Sequence, residues 1–209
     1  MNTSSTPGIL IGLTGGIGSG KSTVARIIEE HYPVLYSDSI ARDIMENDEK
    51  VRGDIVRLFG VQAYRSDASL DRLWLAEVVF NDDAKLAKLN SIVHPPTLER
   101  LNAEAETHFA DGTRMVFVES AILFESGLES LFDYTLAVHV DPEIALHRIA
   151  LRDGVGEETI RARMRRQFAP DETASLADFV IRNDASLDDL RLAVESILTI
   201  LSSLRRRRS

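Results

Sequence analysis

Short unbroken apolar runs recur along the chain, each followed by a stretch in which apolar residues return every three or four positions. Residues 8–14 (GILIGLT) form the first run and read as a buried strand; residues 21–32 (KSTVARIIEEHY) then carry helical spacing. Residues 33–38 (PVLYSD) predict a second short strand, and residues 39–48 a helix capped by Asp38 or Ser39. MVFVESAIL (115–123) and YTLAVHVD (134–141) read as further buried strands, the second feeding a helix over 142–154 with Pro142 in its first turn. Residues 157–168 (EETIRARMRRQF) predict a basic helix, 178–184 (DFVIRND) a last strand, and 187–204 an amphipathic closing helix.

Strands alternating with helices imply an α/β fold with a parallel sheet covered on both faces. Residues 48–109 break that rhythm. They are helical almost throughout, in segments over 49–60, 69–80 and 83–109 separated by turn signals and by Pro95-Pro96. Such a stretch is too long for a simple crossover and reads as a helical insertion, a candidate substrate domain. Trp74, Phe80 and Phe109 are expected in the core.

Composition narrows the function classes. A net charge of -9 over 209 residues argues against a broad nucleic-acid footprint, which needs a basic surface. The basic cluster Arg205–Arg208 reads as a frayed terminus rather than a docking site. The chain has no cysteine, which excludes disulfides, thiol chemistry and cysteine-ligated zinc. No window approaches the ~18 apolar residues of a membrane span, and the N-terminus lacks a basic leader, so a cytoplasmic protein with no membrane partner is expected.

Five glycines fall within residues 11–20 (IGLTGGIGSG). Glycine loses the most freedom on folding, so the cluster needs a reason such as positive φ angles or a close approach to the backbone. Gly15, Gly20, Lys21 and Ser22 match the phosphate-loop spacing G-x-x-x-x-G-K-[ST], whereas no dinucleotide G-x-G-x-x-G register can be drawn. Backbone N–H groups of such a loop, capped by the positive end of the following helix, cradle phosphate oxygens. Lys21 would reach the β- and γ-phosphates and Ser22 would place its hydroxyl on magnesium. Kinases, switches and motors all share such a loop.

An acceptor therefore has to be found elsewhere. Asp38 falls just beyond the second strand, where a carboxylate could take a hydroxyl proton, or could simply cap a helix. Glu119 ends the third strand, where an acidic residue would meet magnesium through water. Arg148 and Arg152, four apart on one helix face, suit a cationic clamp on transferring phosphate; Arg161, Arg163, Arg165 and Arg166 read more as solvated partners of Glu157 and Glu158. His94 taken alone reads as a packed or surface histidine.

The segments IGLTGGIGSGKSTVA, SDSIAR, LDRLWLAEVVF, HP, ILFESG, RDG, RMRRQ and ADFVIRND occur in the order and spacing seen in dephospho-CoA kinases, and the chain resembles that family from about residue 9 to 204. The resemblance implies ATP-dependent phosphorylation of the ribose 3'-hydroxyl of dephospho-CoA with Mg2+, the final step of coenzyme A synthesis. It implies a P-loop kinase three-layer sandwich, with a five-stranded parallel sheet flanked by helices, a helical acceptor-binding insertion and a helical lid. The implied layout is one domain over 1–209, with a core over 9–47 and 113–204, the insertion over about 48–110 and the lid over about 148–176. Carried over by motif, Asp38 is similar to the family's base, with Lys21, Arg148 and Arg152 as its catalytic companions. Gly16, Gly18, Ser19, Gly20, Lys21, Ser22 and Thr23 would bind ATP, with Asn183 near its adenine. Arg42, Arg72, His94 and Glu125 would join Asp38 on the acceptor, and Ser22 would hold magnesium, with Glu119 acting through water. The sequence departs from the family pattern at Tyr36, Ala121 and Thr173, where an aspartate, a proline and a lysine are common.

Overall fold

The computed structural model describes residues 8–80, 82–165 and 167–207; the side chains of Phe80 and Arg166, and Arg208, lie outside that description. In chain order the elements are β1 (Ile9–Thr14), α1 (Lys21–Glu29), β2 (Val34–Tyr36), α2 (Ser37–Asn47), α3 (Glu49–Phe59), α4 (Arg72–Phe80) and α5 (Asp83–Ala110). Then follow β3 (Met115–Glu119), β4 (Tyr134–His139), α6 (Pro142–Asp153), α7 (Glu157–Met164), α8 (Pro170–Leu176), β5 (Phe179–Arg182) and α9 (Leu187–Ser203). Two compact units result: one formed by the chain up to Tyr36 and from Ala105 onward, the other by Ser37–Glu104.

The first unit holds a five-stranded sheet in the order β2-β3-β1-β4-β5, every pair parallel. β1 is central and buried along its whole length, which explains why its sequence is an unbroken apolar run rather than an alternating one. Ile11, Leu13, Phe117 and Leu136 pack with Val24 and Ile28 of α1 and with Leu190, Val194, Leu198 and Leu201 of α9. Parallel pairing places the carboxyl ends of β1, β3 and β4 along one edge, where ligands of such sheets bind.

Helix ends follow local chemistry. Asp141 accepts from Glu143 N ahead of Pro142, and Gly154 closes α6 in the left-handed region. Ser186 and Asp189 form a capping box on α9.

The helical unit differs from the sequence reading in three ways. Its boundary falls at Ser37, not near residue 48, because Tyr64 donates to Met45 O at 2.7 Å and Arg52 of α3 to Glu46 O at 2.6 Å, tying the end of α2 to the rest of the unit. α2 begins directly after β2, so Asp38 and Ser39 lie within its first turn and neither caps it. α5 runs unbroken through Pro95 and Pro96, with the hydroxyl of Thr97 donating to Val93 O at 2.8 Å just beyond them. A second small core of Leu70, Leu75 and Val79 packs against Trp74, Leu86 and Leu89. In the first unit, Phe109 lies against the backbone of Gly8.

The C-terminal arginines are docked rather than frayed as far as Arg207. Arg207 donates its N–H to Asp133 at 3.0 Å and its guanidinium to Asp178 at 2.6 Å, and lies over the Tyr134 ring at 4.1 Å. The Tyr134 hydroxyl in turn donates to Arg205 O. An acidic protein supplies partners that composition alone does not reveal. Among the described residues no helix is long and apolar enough to cross a membrane.

Candidate active site

The loop between β1 and α1 has the shape that its glycines predict. Gly20 sits at φ 95° before the first residue of α1, and a Cβ there would collide with Asn183 Nδ2. Gly15 is at φ +144°, and a Cβ there would collide with Val138 O. No side chain fits at either position. α1 begins at Lys21 and turns the positive end of its dipole toward the loop, with Thr23 N–H returning to Gly20 O at 2.9 Å.

Lys21 opens α1 and is buried, with Nζ 2.5 Å from Gly15 O and 3.2 Å from Gly16 O. Its ammonium is folded onto the loop's own carbonyls, close to where phosphate oxygens would be received. Ser22 is exposed beside it and Thr23 half-buried. Asn183 is buried just past β5 and donates to Ser19 O at 2.7 Å, fastening the far side of the loop. Gly16 and Gly18 complete the turn, and the position of a Cβ on Gly18 would lie 2.9 Å from Ala145 O and from Ile149 of α6.

That contact brings α6 against the loop. Arg148 and Arg152 share a face of this helix beside Ile149. Arg148 is half-buried; Arg152 is exposed and forms two hydrogen bonds with its neighbour Asp153, which raise its already high pKa. Arg161 pairs with Glu157 and Glu143, while Arg163 also turns to Asp153. Arg161 and Arg163 are therefore paired, with Glu143 and Asp153 joining Glu157 as partners.

Glu119 ends β3 and is buried, in register with Leu13 of β1 and with Tyr36 of β2. Tyr36 donates its hydroxyl to Glu29 of α1 at 2.9 Å; burial and that carboxylate push its pKa up to about 12. The phenol is thus turned to α1 and stays protonated, and it cannot replace a carboxylate as a base. Ala121 lies in the turn segment after β3, and Thr173 is buried in α8. Glu125 accepts a hydrogen bond from Phe168 N at 2.8 Å.

The remaining acceptor-side residues lie in the helical unit. Asp38 and Arg42 are one turn apart on α2, both exposed. Arg72 opens α4 and is exposed; His94 lies on α5, half-buried, and burial lowers its pKa. Arg100 of α5 bonds Asp43 of α2, an ion pair that holds Asp43 below the ordinary carboxylate range and joins the two helices.

A family model described as dephospho-CoA kinase matches residues 9–189. The chain belongs to the dephospho-CoA kinase family. It is 39% identical over 191 residues to a Bacillus cereus dephospho-CoA kinase, covering 91% of this chain and 96% of the relative. A dephospho-CoA kinase of Salinibacter ruber is 39% identical over 182 residues, with 87% and 92% covered. Among solved structures, one from Thermus thermophilus superposes with a TM-score of 0.80 at 37% identity, covering 93% of this chain and 98% of that one. A Campylobacter jejuni dephospho-CoA kinase gives 0.69 at 26%, covering 92% and 96%. A shikimate kinase at 16% identity and TM-score 0.53 shares the fold alone. The fold is that of the P-loop kinases.

Two contacts of this family member escaped sequence reasoning. Asn183 fastens Ser19 O, and Gln167 bonds Ile17 N at 2.7 Å, across sequence separations of 164 and 150 residues. Gln167 was visible only as the last letter of RMRRQ, and a glutamine after a basic helix otherwise looks like a solvated residue.

Proposed function

We propose that this chain transfers the γ-phosphoryl group of ATP to the ribose 3'-hydroxyl of dephospho-CoA, giving coenzyme A and ADP. The observation that carries the phosphoryl-transfer half is the loop itself, with obligatory glycines, a fastened far side and Lys21 poised at the helix end. Family membership carries the choice of acceptor.

The loop N–H groups hold the β- and γ-phosphates while Lys21 exchanges its carbonyl partners for phosphate oxygens. Asp38 accepts the proton of the attacking hydroxyl. Arg148 and Arg152, on the helix that touches the loop at Gly18, stabilise charge on the phosphoryl group in flight. Asp38, Arg42, Arg72, His94 and Glu125 hold the acceptor, and Gly16, Gly18, Ser19, Gly20, Ser22, Thr23 and Asn183 the nucleotide. The donor set fits magnesium: the exposed Ser22 hydroxyl in the first turn of α1 is a hard oxygen ligand, and Glu119 at the end of the neighbouring strand would act through water. Magnesium bound with ATP neutralises phosphate charge.

A coupled assay of ADP release across an acceptor panel, with and without magnesium, tests the reading. Dephospho-CoA should far exceed adenosine and AMP, and turnover should vanish without the metal. Acceptor-independent ATP turnover would instead describe a nucleotide switch.

A further inference from the structure

Gln167 lies on the short stretch between α7 and α8, and the phosphoryl-transfer roles above leave it unused. Its amide is engaged at both ends. Oε1 accepts from Ile17 N of the phosphate loop at 2.7 Å, and Nε2 donates to Ala121 O, in the turn segment after β3, at 2.9 Å. The next residue, Phe168, donates its N–H to Glu125 at 2.8 Å. Two adjacent residues therefore join the phosphate loop, the segment that follows Glu119, and the chain leaving α7. The recess around this junction is lined by Ile17, Ser19, Val138, Ala145, Met164 and Gln167, all in the same compact unit.

The chemistry of the side chain suits the place. A primary amide offers one acceptor and donors at a fixed separation and carries no charge. A lysine could not accept from Ile17, and a carboxylate would set negative charge beside a loop built for phosphate.

A loop with three glycines at positive φ explores many conformations unless it is held, and ordering it when ligand arrives subtracts from affinity. Three side chains hold this one: Lys21 on the carbonyls of Gly15 and Gly16, Asn183 on the carbonyl of Ser19, and Gln167 on the N–H of Ile17. Lys21 has to release its carbonyls to meet phosphate, whereas Gln167 is anchored from behind by Ala121.

We propose that Gln167 is a positioning residue for ATP. It fixes the phosphate loop in its receptive shape before nucleotide arrives, and it ties that shape to the segment after β3 and to the chain leaving α7. The proposal rests on the phosphoryl-transfer reading above.

The test uses the full-length, 15N-labelled protein and its Gln167→Met and Gln167→Glu variants. Three quantities are measured: hydrogen exchange of the Ile17 amide, affinity for a non-hydrolysable ATP analogue with magnesium, and KM and kcat with dephospho-CoA. Gln167→Met should accelerate Ile17 exchange at least about 10-fold relative to the Leu136 amide of β4. It should also weaken nucleotide binding and raise the KM for ATP about 3- to 10-fold, more than kcat falls, as expected when the Ile17 hydrogen bond and its anchor on Ala121 are both lost. Gln167→Glu keeps the acceptor for Ile17 but loses the donor to Ala121 and adds negative charge, so its ATP affinity should fall at least about 3-fold. This variant carries the test if the methionine variant fails to fold. Unchanged Ile17 exchange in Gln167→Met, unchanged ATP affinity in Gln167→Glu, or an effect confined to the KM for dephospho-CoA would overturn the proposal. If the parent protein fails to phosphorylate dephospho-CoA, the functional reading falls while Ile17 exchange and nucleotide affinity still judge Gln167.

Discussion

Lys21 holds two loop carbonyls in the structure and is assigned to phosphate in the reaction, so replacing it removes both interactions. Lys21→Ala should lower kcat about 10²- to 10³-fold and weaken ATP binding, measured by steady-state turnover and calorimetry. Near-normal turnover in a folded variant would contradict the phosphate-loop assignment. Asp38 is the opposite case, an exposed carboxylate in the first turn of α2. Asp38→Asn should cost about 10²- to 10⁴-fold in kcat while ATP affinity and melting temperature stay near those of the parent. An early melt with retained turnover would reduce Asp38 to a helix-terminus residue. The glycine loop is legible at this scale because its signal is local: the glycine spacing and the adjoining Lys-Ser dipeptide mark it without reference to distant residues. Fasteners such as Asn183 and Gln167 are not, because a polar side chain that meets its partner more than a hundred residues away leaves no periodic trace.

At the scale of elements, α6 touches the loop through Ala145 and Ile149 and presents Arg148 and Arg152 alongside. Replacing either arginine by alanine should lower kcat more than it raises the KM for dephospho-CoA; a change confined to acceptor affinity would move these residues into the acceptor site. The docked tail makes a separate prediction. Burial pushes the Asp178 carboxyl up, but hydrogen bonds from Thr135 and Arg207 outweigh it and hold the pKa below its ordinary value. A depressed carboxylate pKa contributes stability that is present above the ordinary range and lost as pH falls through the folded value, here below about pH 4. Arg207→Ala should therefore be less stable than the parent at pH 7 and converge with it in acid, as read from urea melts between pH 3 and 7. A stability gap that stays constant with pH would rule out the Asp178 contact as its source. Alternating strands and helices were readable because fully buried parallel strands have unbroken apolar runs. The continuity of α5 through Pro95-Pro96 was not, since propensity counts two lost N–H donors and tertiary packing overrides them. The tail misled for a related reason: four arginines in a row look solvated until Asp133, Asp178 and Tyr134 are seen to converge on one of them.

For the whole molecule, the proposed function assigns the nucleotide to the phosphate loop and most of the acceptor contacts to the helical unit of residues 37–104. The nucleotide half follows from backbone geometry. The acceptor half rests on Arg42, Arg72 and His94, whose residue types alone fit many anionic small molecules, so it is legible through family membership rather than through physics. Dephospho-CoA is a long substrate, and contacts remote from the reacting oxygen should be used to align the 3'-hydroxyl with the γ-phosphate, so shortened acceptors should lose rate as well as affinity. The reaction is defined by the oxygen that becomes phosphorylated. Phosphorus–proton correlation NMR of the product formed from ATP, magnesium and dephospho-CoA locates it directly. A new phosphate coupled to the ribose 3'-proton, with AMP and adenosine turned over far more slowly, is the predicted result; a phosphate at any other position, or faster turnover of a mononucleotide, would contradict the account.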